Sequence, residues 1–352
     1  MKTKAQLKDI VSYSKGYQIN GDELLDDGKY DYLNGGVLPS GKWNEYNTEA
    51  ETITVSEGGN SCGFVNYMQK PFWCGAHCYY LYDSKVNTKY LYYILKSQQD
   101  RLMKLRSGAC MPNIKKSDLG KFEVIYDTDS NEQQKVIDVL DRISSIITAR
   151  QQELQKFDEL IKARFVEMFN CCDLAEQKED WKPISKIGTI ISGSTPKTKI
   201  AEYWDGEYRW ITPAEIDNEA GYIYDSQRKI TLDGAKSCSL TELPIDTVLL
   251  TSRAPIGKVA LAGNTFFCNQ GFKNIVCNNR INPLFLYTLL RLNTDYLNSL
   301  GRGATFKEIS KKIVENIKIP VPSMDLQNQF ATFVKQIDKS KVAVKNALDK
   351  TQ

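Results

Sequence analysis

The feature that most constrains this chain is that it runs through one plan twice. Tyr90-Leu-Tyr-Tyr-Ile-Leu-Lys96 returns as Phe285-Leu-Tyr-Thr-Leu-Leu-Arg291, 195 residues later. The same offset carries Arg106-Ser-Gly-Ala109 onto Gly301-Arg-Gly-Ala304, then Ile114 onto Ile309, Lys116 onto Lys311 and Val124 onto Ile319. Upstream, Gly63-Phe-Val65 matches Gly257-Lys-Val259, Gly28-Lys-Tyr-Asp-Tyr32 matches Gly206-Glu-Tyr-Arg-Trp210, and Leu7-Lys-Asp-Ile10 matches Ile184-Ser-Lys-Ile187. The offset drifts from 177 to 195 as these matches proceed in order, which places the length differences in loops. A repeat of this length means two copies of one domain, each with its own core.

Within each copy, short β-branched runs precede a helical pattern. Thr52-Ile-Thr-Val55, Phe122-Glu-Val-Ile125 and Thr247-Val-Leu-Leu-Thr251 read as strands. Asn34-Gly-Gly36 and Ser192-Gly-Ser-Thr-Pro196 read as turns. Tyr90 to Arg106 and Pro283 to Leu300 have helical periodicity. Strands and helices that segregate in this way predict an α+β fold.

A long helix follows each copy. From Val136 the residues spaced alternately by four and three are Val136, Leu140, Ile143, Ile147, Arg150, Leu154, Phe157, Ile161, Arg164 and Met168, with Asp129 or Ser130 to cap the start. The second series is Phe330, Val334, Ile337, Lys341, Val344 and Leu348. These are heptad seams, and the plainest partner for one is the other, as an antiparallel coiled coil. The expected division is residues 1–126 and 173–322 as the two domains, with spacer helices at 127–172 and 323–352. Apolar residues off the seam (Ile137, Ile146, Phe165, Phe169, Phe333 and Val342) predict an outer face for partner subunits.

Little in the sequence suggests catalysis. One histidine, His77, rules out a His-rich metal site or a metalloprotease His pair. Gly36 to Lys42 imitates a phosphate loop, but Trp43 stands where Ser or Thr should hold magnesium. Cys74, His77 and Cys78, with Cys62, suggest zinc ligands without a paired spacing, and Asn269 and Phe272 stand at the positions taken to match Cys74 and His77. Nine irregularly spaced cysteines fit a reducing cytoplasm, and no apolar run is long enough to span a membrane.

Charge points to a different class of function. The net charge is only +3, so nucleic-acid binding has to come from local patches. Residues 96–121 hold seven basic side chains against two acids, and residues 291–318 hold six against three. Both clusters surround a Gly-Ala turn, where backbone can approach a ligand closely. The candidate DNA-binding residues are Lys15, Tyr17, Asn34, Lys42, Arg106, Ser107, Gly108, Asn113 and Lys115 in the first copy. In the second they are Gly193, Ser194, Thr195, Lys197, Thr212, Arg253, Arg302, Gly303, Thr305 and Lys307.

The order of motifs resembles the specificity subunit of type I restriction–modification systems. After the Gly-Ala turn and a strand, Glu132-Gln-Gln134 opens the first long helix, which ends Ile161-Lys-Ala-Arg-Phe-Val-Glu-Met-Phe169. Gln327-Asn-Gln329 opens the second without the acid. The resemblance implies two target-recognition domains reading a split site in double-stranded DNA. It implies two modification (methyltransferase) subunits docked on the helices, and restriction or motor subunits beyond them. S-adenosylmethionine, ATP and magnesium are then expected on those partners, with no cofactor and no catalytic residue on this chain. The alternatives are a DNA methyltransferase or nuclease with an unrecognised motif, and a coiled-coil protein scaffold.

Overall fold

The computed structural model describes residues 1–108, 112–170, 173–217, 221–253, 255–303 and 307–351. The chain forms two compact units, residues 1–148 and 149–352. The division falls within a helix that runs from Ser130 to Phe169.

Both units build the same sheets from matching strands. In the first, Ser12–Lys15, Cys78–Tyr82, Thr52–Ser56 and Val65–Met68 lie side by side, all antiparallel. In the second the order is Gly188–Ser192, Lys273–Cys277, Val248–Ser252 and Ile256–Ala262, again antiparallel, with Tyr222–Ile223 added in parallel at the edge. Each unit also has a three-stranded sheet with one antiparallel and one parallel pairing. These are Gly41–Trp43, Tyr30–Leu33 and Trp73–Cys74, and then Arg228–Ile230, Trp204–Ile211 and Phe267–Cys268. A two-stranded pair completes each unit, Lys2–Gln6 with Glu123–Asp127 and Lys182–Pro183 with Lys318–Ile319. The duplication seen in sequence is therefore a duplication of hydrogen-bonded topology. Register also corrects one alignment. Leu33 faces Cys74 and Ile211 faces Cys268, so Cys268, not Asn269, is the counterpart of Cys74.

The helical stretch expected from Tyr90 to Arg106 is two helices, Thr88–Ser97 and Gln99–Met103. Its counterpart breaks at the same place, into Pro283–Leu292 and Thr294–Ser299. Asn293 explains the second break. Its side chain accepts from the Leu174 amide and donates to the Leu289 carbonyl, both at 2.8 Å, offering the backbone partners other than the next turn.

The long helix starts at an Asp129 cap, whose carboxylate accepts from the Asn131 amide at 2.9 Å. Gln133 then ties it to the first unit, accepting from the Asn87 amide at 3.1 Å and donating to the Asp127 carbonyl at 2.7 Å. Gln327 does the same for the final helix Met324–Asp349, with the Asn282 amide at 2.8 Å and the Pro322 carbonyl at 2.8 Å. The shared glutamine is thus a latch between helix and domain.

Within the second unit the two long helices run antiparallel. Arg150 donates to the Ala347 carbonyl and, at 2.5 Å, to Thr351. Further along, Asp158 accepts from Lys341 at 2.7 Å, the Arg164 guanidinium lies 5.9 Å over the Phe333 ring, and Phe165 meets Phe330 at 5.2 Å. Every residue of the Phe330 to Leu348 seam is buried or half-buried. At 1.5 Å of rise per residue, the 40 residues of the longer helix span about 60 Å.

The expected outer face is corrected. Ile137 and Phe165 are buried in the cores of their own units, and Phe169 and Phe333 pack against the second. Only Ile146 and Val342 of that set are exposed. Val136, assigned to the seam, is exposed instead, because the domain core claims its neighbour Ile137.

Candidate nucleic-acid interface

Each unit gathers four loops at one end of its larger sheet, and the same backbone hydrogen bonds join them. In the first unit, the Ser56–Glu57 strand end accepts from the Ile114 amide through the Glu57 carbonyl at 2.8 Å, and the Glu57 amide donates to the His77 carbonyl at 2.9 Å. In the second, Ser252 replaces Glu57. Its carbonyl accepts from Ile309 at 3.0 Å and its amide donates to Gly271 at 2.7 Å. A turn stands on this base in both. Ser107 and Asn113 exchange two backbone hydrogen bonds of 2.9 and 3.0 Å, and Arg302 and Glu308 exchange two of 3.1 and 3.0 Å. Gly108 (φ 107°) and Gly303 (φ 126°) follow the first residue of each turn, in conformations L side chains rarely adopt.

A second loop reaches the cluster through an equally strict glycine. A Cβ on Gly16 would lie 1.8 Å from the Cys74 carbonyl oxygen, and one on Gly193 would lie 2.1 Å from that of Cys268. No side chain fits there, so the chain passes directly over the end of the parallel strand. Tyr17 and Ser194, the next residues, each donate an amide hydrogen to that carbonyl, at 2.9 and 3.0 Å.

The structure divides the candidate residues into presented and committed groups. Arg106, Ser107, Gly108, Asn113, Lys115, Lys197, Arg302, Gly303 and Lys307 are exposed on or beside the loops, as is Tyr17 at 72% exposure. Asn34 is occupied internally, accepting from the His77 amide and donating to Gln18, both at 3.0 Å. Lys15 is paired with the buried carboxylate of Glu57, which His77 Nδ1 also approaches at 3.5 Å. Thr195 donates to Gln270 at 2.5 Å. Thr212 is bound to Glu215 by its amide (2.8 Å) and hydroxyl (2.9 Å), and so serves the turn at Pro213. Arg253 lies 3.9 Å from Glu308. Lys42 is exposed on the three-stranded sheet, opposite Asp31, and is not joined to the turn cluster by these hydrogen bonds. Thr305 lies outside the described residues.

The basic clusters are smaller in space than in sequence. Lys96 donates to the Val65 carbonyl and to Gln99 with its ammonium 3.9 Å over the Phe64 ring, and burial lowers its pKa. Arg101 lies over the Phe122 ring, and Arg291 binds the Tyr287 hydroxyl at 2.9 Å. These three build the fold. The residues missed in sequence were Glu57, Gln270, Lys273 and Glu308. A lysine inside the strand Lys273–Cys277 and an acid ending the apolar run Thr52–Ser56 were the available signals, since buried charges need partners.

Among the described residues, no three His, Cys, Asp or Glu side chains gather as metal ligands. His77 turns to Glu57. Burial raises the thiols of Cys62 and Cys268, the latter to about 12, while hydrogen bonding to Cys78 and then burial raise Cys74. Such thiols are poor nucleophiles. Gly36 to Lys42 leads into a strand with no helix to receive phosphate.

Comparison with known proteins agrees with this duplicated architecture. The family model for the type I restriction modification DNA specificity domain matches residues 2–156 and 178–351. The type I restriction enzyme MjaIX specificity subunit of Methanocaldococcus jannaschii is 41% identical over 184 residues, 51% of this chain and 43% of that protein. A putative type I specificity subunit of Mycoplasma genitalium is 35% identical over 354 residues, 96% of this chain and 87% of that protein. In structure, a type I restriction–modification S subunit from M. genitalium aligns over 100% of this chain and 93% of its own, with a TM-score of 0.63 at 23% identity, which shows the shared fold. The chain belongs to the type I restriction–modification specificity family and carries its DNA specificity domain twice.

Proposed function

We propose that this chain is the recognition subunit of a type I restriction–modification complex, in which each unit reads one half of a split target in double-stranded DNA. The observation that carries the reading is the loop cluster built twice on one hydrogen-bond scheme, each copy presenting a turn with exposed basic residues. Arg106, Lys115, Arg302 and Lys307 are suited to phosphate, and Tyr17, Ser107 and Asn113 to base edges or sugar. The committed residues, Lys15, Asn34, Thr195, Thr212 and Arg253, set the shape of the surface from which the others reach.

In this reading the chain itself is not an enzyme. It lies in the cytoplasm, and its helices carry two modification subunits and, through them, restriction or motor subunits. S-adenosylmethionine, ATP and magnesium belong, in this reading, to those partners. The test is a titration of the purified chain with duplex DNA over a salt series. A steep fall of affinity with salt supports a phosphate-binding surface, and an affinity independent of salt rejects it.

A further inference from the structure

Beneath each turn one charged side chain is almost removed from water. In the second unit it is Lys273, whose side chain is only 9% exposed. Its ammonium donates to Ser252 Oγ at 3.2 Å and to Glu308 Oε1 at 3.0 Å. The first unit meets the same need differently. There Tyr79 holds the matching strand position and donates to the Ile114 carbonyl at 3.0 Å, while the buried charge is Glu57, paired with Lys15. An ammonium is strongly hydrated, and burying it is costly unless acceptors replace the lost water. Replacing such a pair by apolar side chains of similar volume is often neutral or stabilising, so a buried lysine here calls for a role in geometry. The geometry it controls is specific. Glu308 is locked to Arg302 by two backbone hydrogen bonds, and its carboxylate also lies 3.9 Å from Arg253.

We infer that Lys273 is a positioning residue for the second half-site: by holding Glu308 it sets the backbone from which Arg302 meets DNA, with Arg253 beside it. This rests on the DNA-reading role proposed above. The lysine is too buried to contact DNA and acts only through the turn. Its effect is therefore confined to one half-site.

The experiment measures binding of the full chain to a duplex carrying the target motif, found by mapping methylation in cells with the complete system, and to duplexes with either half-site scrambled. For the native chain, even one mismatched pair should weaken binding by about 5- to 150-fold. In Lys273→Met, scrambling the second unit's half-site should cost less than about threefold, while scrambling the other half costs as much as before. Lys273→Arg should restore most of the discrimination. A Lys273→Met chain that discriminates at both halves as the native chain does overturns the proposal, as does equal loss at both. If Lys273→Met fails to fold, Glu308→Gln, at a half-exposed position, takes its place and is decided by the same two outcomes. A native chain indifferent to either half-site rejects the DNA-reading role itself, and with it this inference.

Discussion

Replacing Phe165 by alanine removes the side chain that joins the long helix, the final helix and the second domain. Phe165 is 1% exposed, and its ring lies 4.9 Å from Phe169, 5.2 Å from Phe330 and 5.4 Å from Phe285, centroid to centroid. Truncating a fully buried phenylalanine costs about 3–5 kcal/mol in transfer and cavity terms. Losing three aromatic contacts places this site at the upper end, near 5 kcal/mol. With a urea dependence of about 2.5 kcal/mol/M, the midpoint of the second unit should fall by roughly 2 M. The assay is urea unfolding followed by pulsed hydrogen exchange, read peptide by peptide so that each unit has its own midpoint. Peptides from 324–349 and 283–292 should lose protection together. A shift below about 0.4 M, or about 1 kcal/mol, would refute the claim that this cluster anchors the helix pair.

Other substitutions test the remaining parts of the account. Gly193→Ala should abolish specific DNA binding, because its Cβ collides with the backbone carbonyls of Cys268 and Asn269; binding curves unchanged from the native chain would mean the loop can move aside. Arg106→Ala and Arg302→Ala should each weaken binding and reduce the slope of log affinity against log salt by about 1, and an unchanged slope in both relocates the phosphate surface. Asp338→Asn should raise the thermal midpoint at neutral pH. Burial raises the Asp338 pKa, so the native fold holds a proton there more tightly than the unfolded chain does. The destabilisation is full above the raised pKa and vanishes as pH falls below the ordinary carboxylate range, and melting scans against pH should show the variant's advantage disappearing there.

The duplication was the most legible feature because topology depends on pattern, and hydrophobic pattern survives substitution. Tyr90–Lys96 and Phe285–Arg291 differ in sequence yet form equivalent helices. The seams were legible for the same reason, although Val136 and Ile137 exchanged roles where the helix meets a core that periodicity does not reveal. The candidate site was legible only as a location. Sequence places Lys15 and Asn34 in polar turns, but whether a polar group faces solvent or braces a neighbour depends on contacts 42 and 43 residues away, to Glu57 and His77. Lys96 and Arg291 count as free cations in sequence, but in the fold each charged group lies over an aromatic ring and donates to a local acceptor. Lys273 could not be placed without knowing that the turn at Glu308 folds over its strand.

The central claim is that the two loop clusters read two separate halves of one target. Hydroxyl-radical footprinting of the purified chain on its methylation motif tests this most directly. Two protected blocks divided by an unprotected spacer are expected, with Arg106→Ala weakening one block and Arg302→Ala the other. A single continuous footprint, or loss of the same block in both variants, would contradict it.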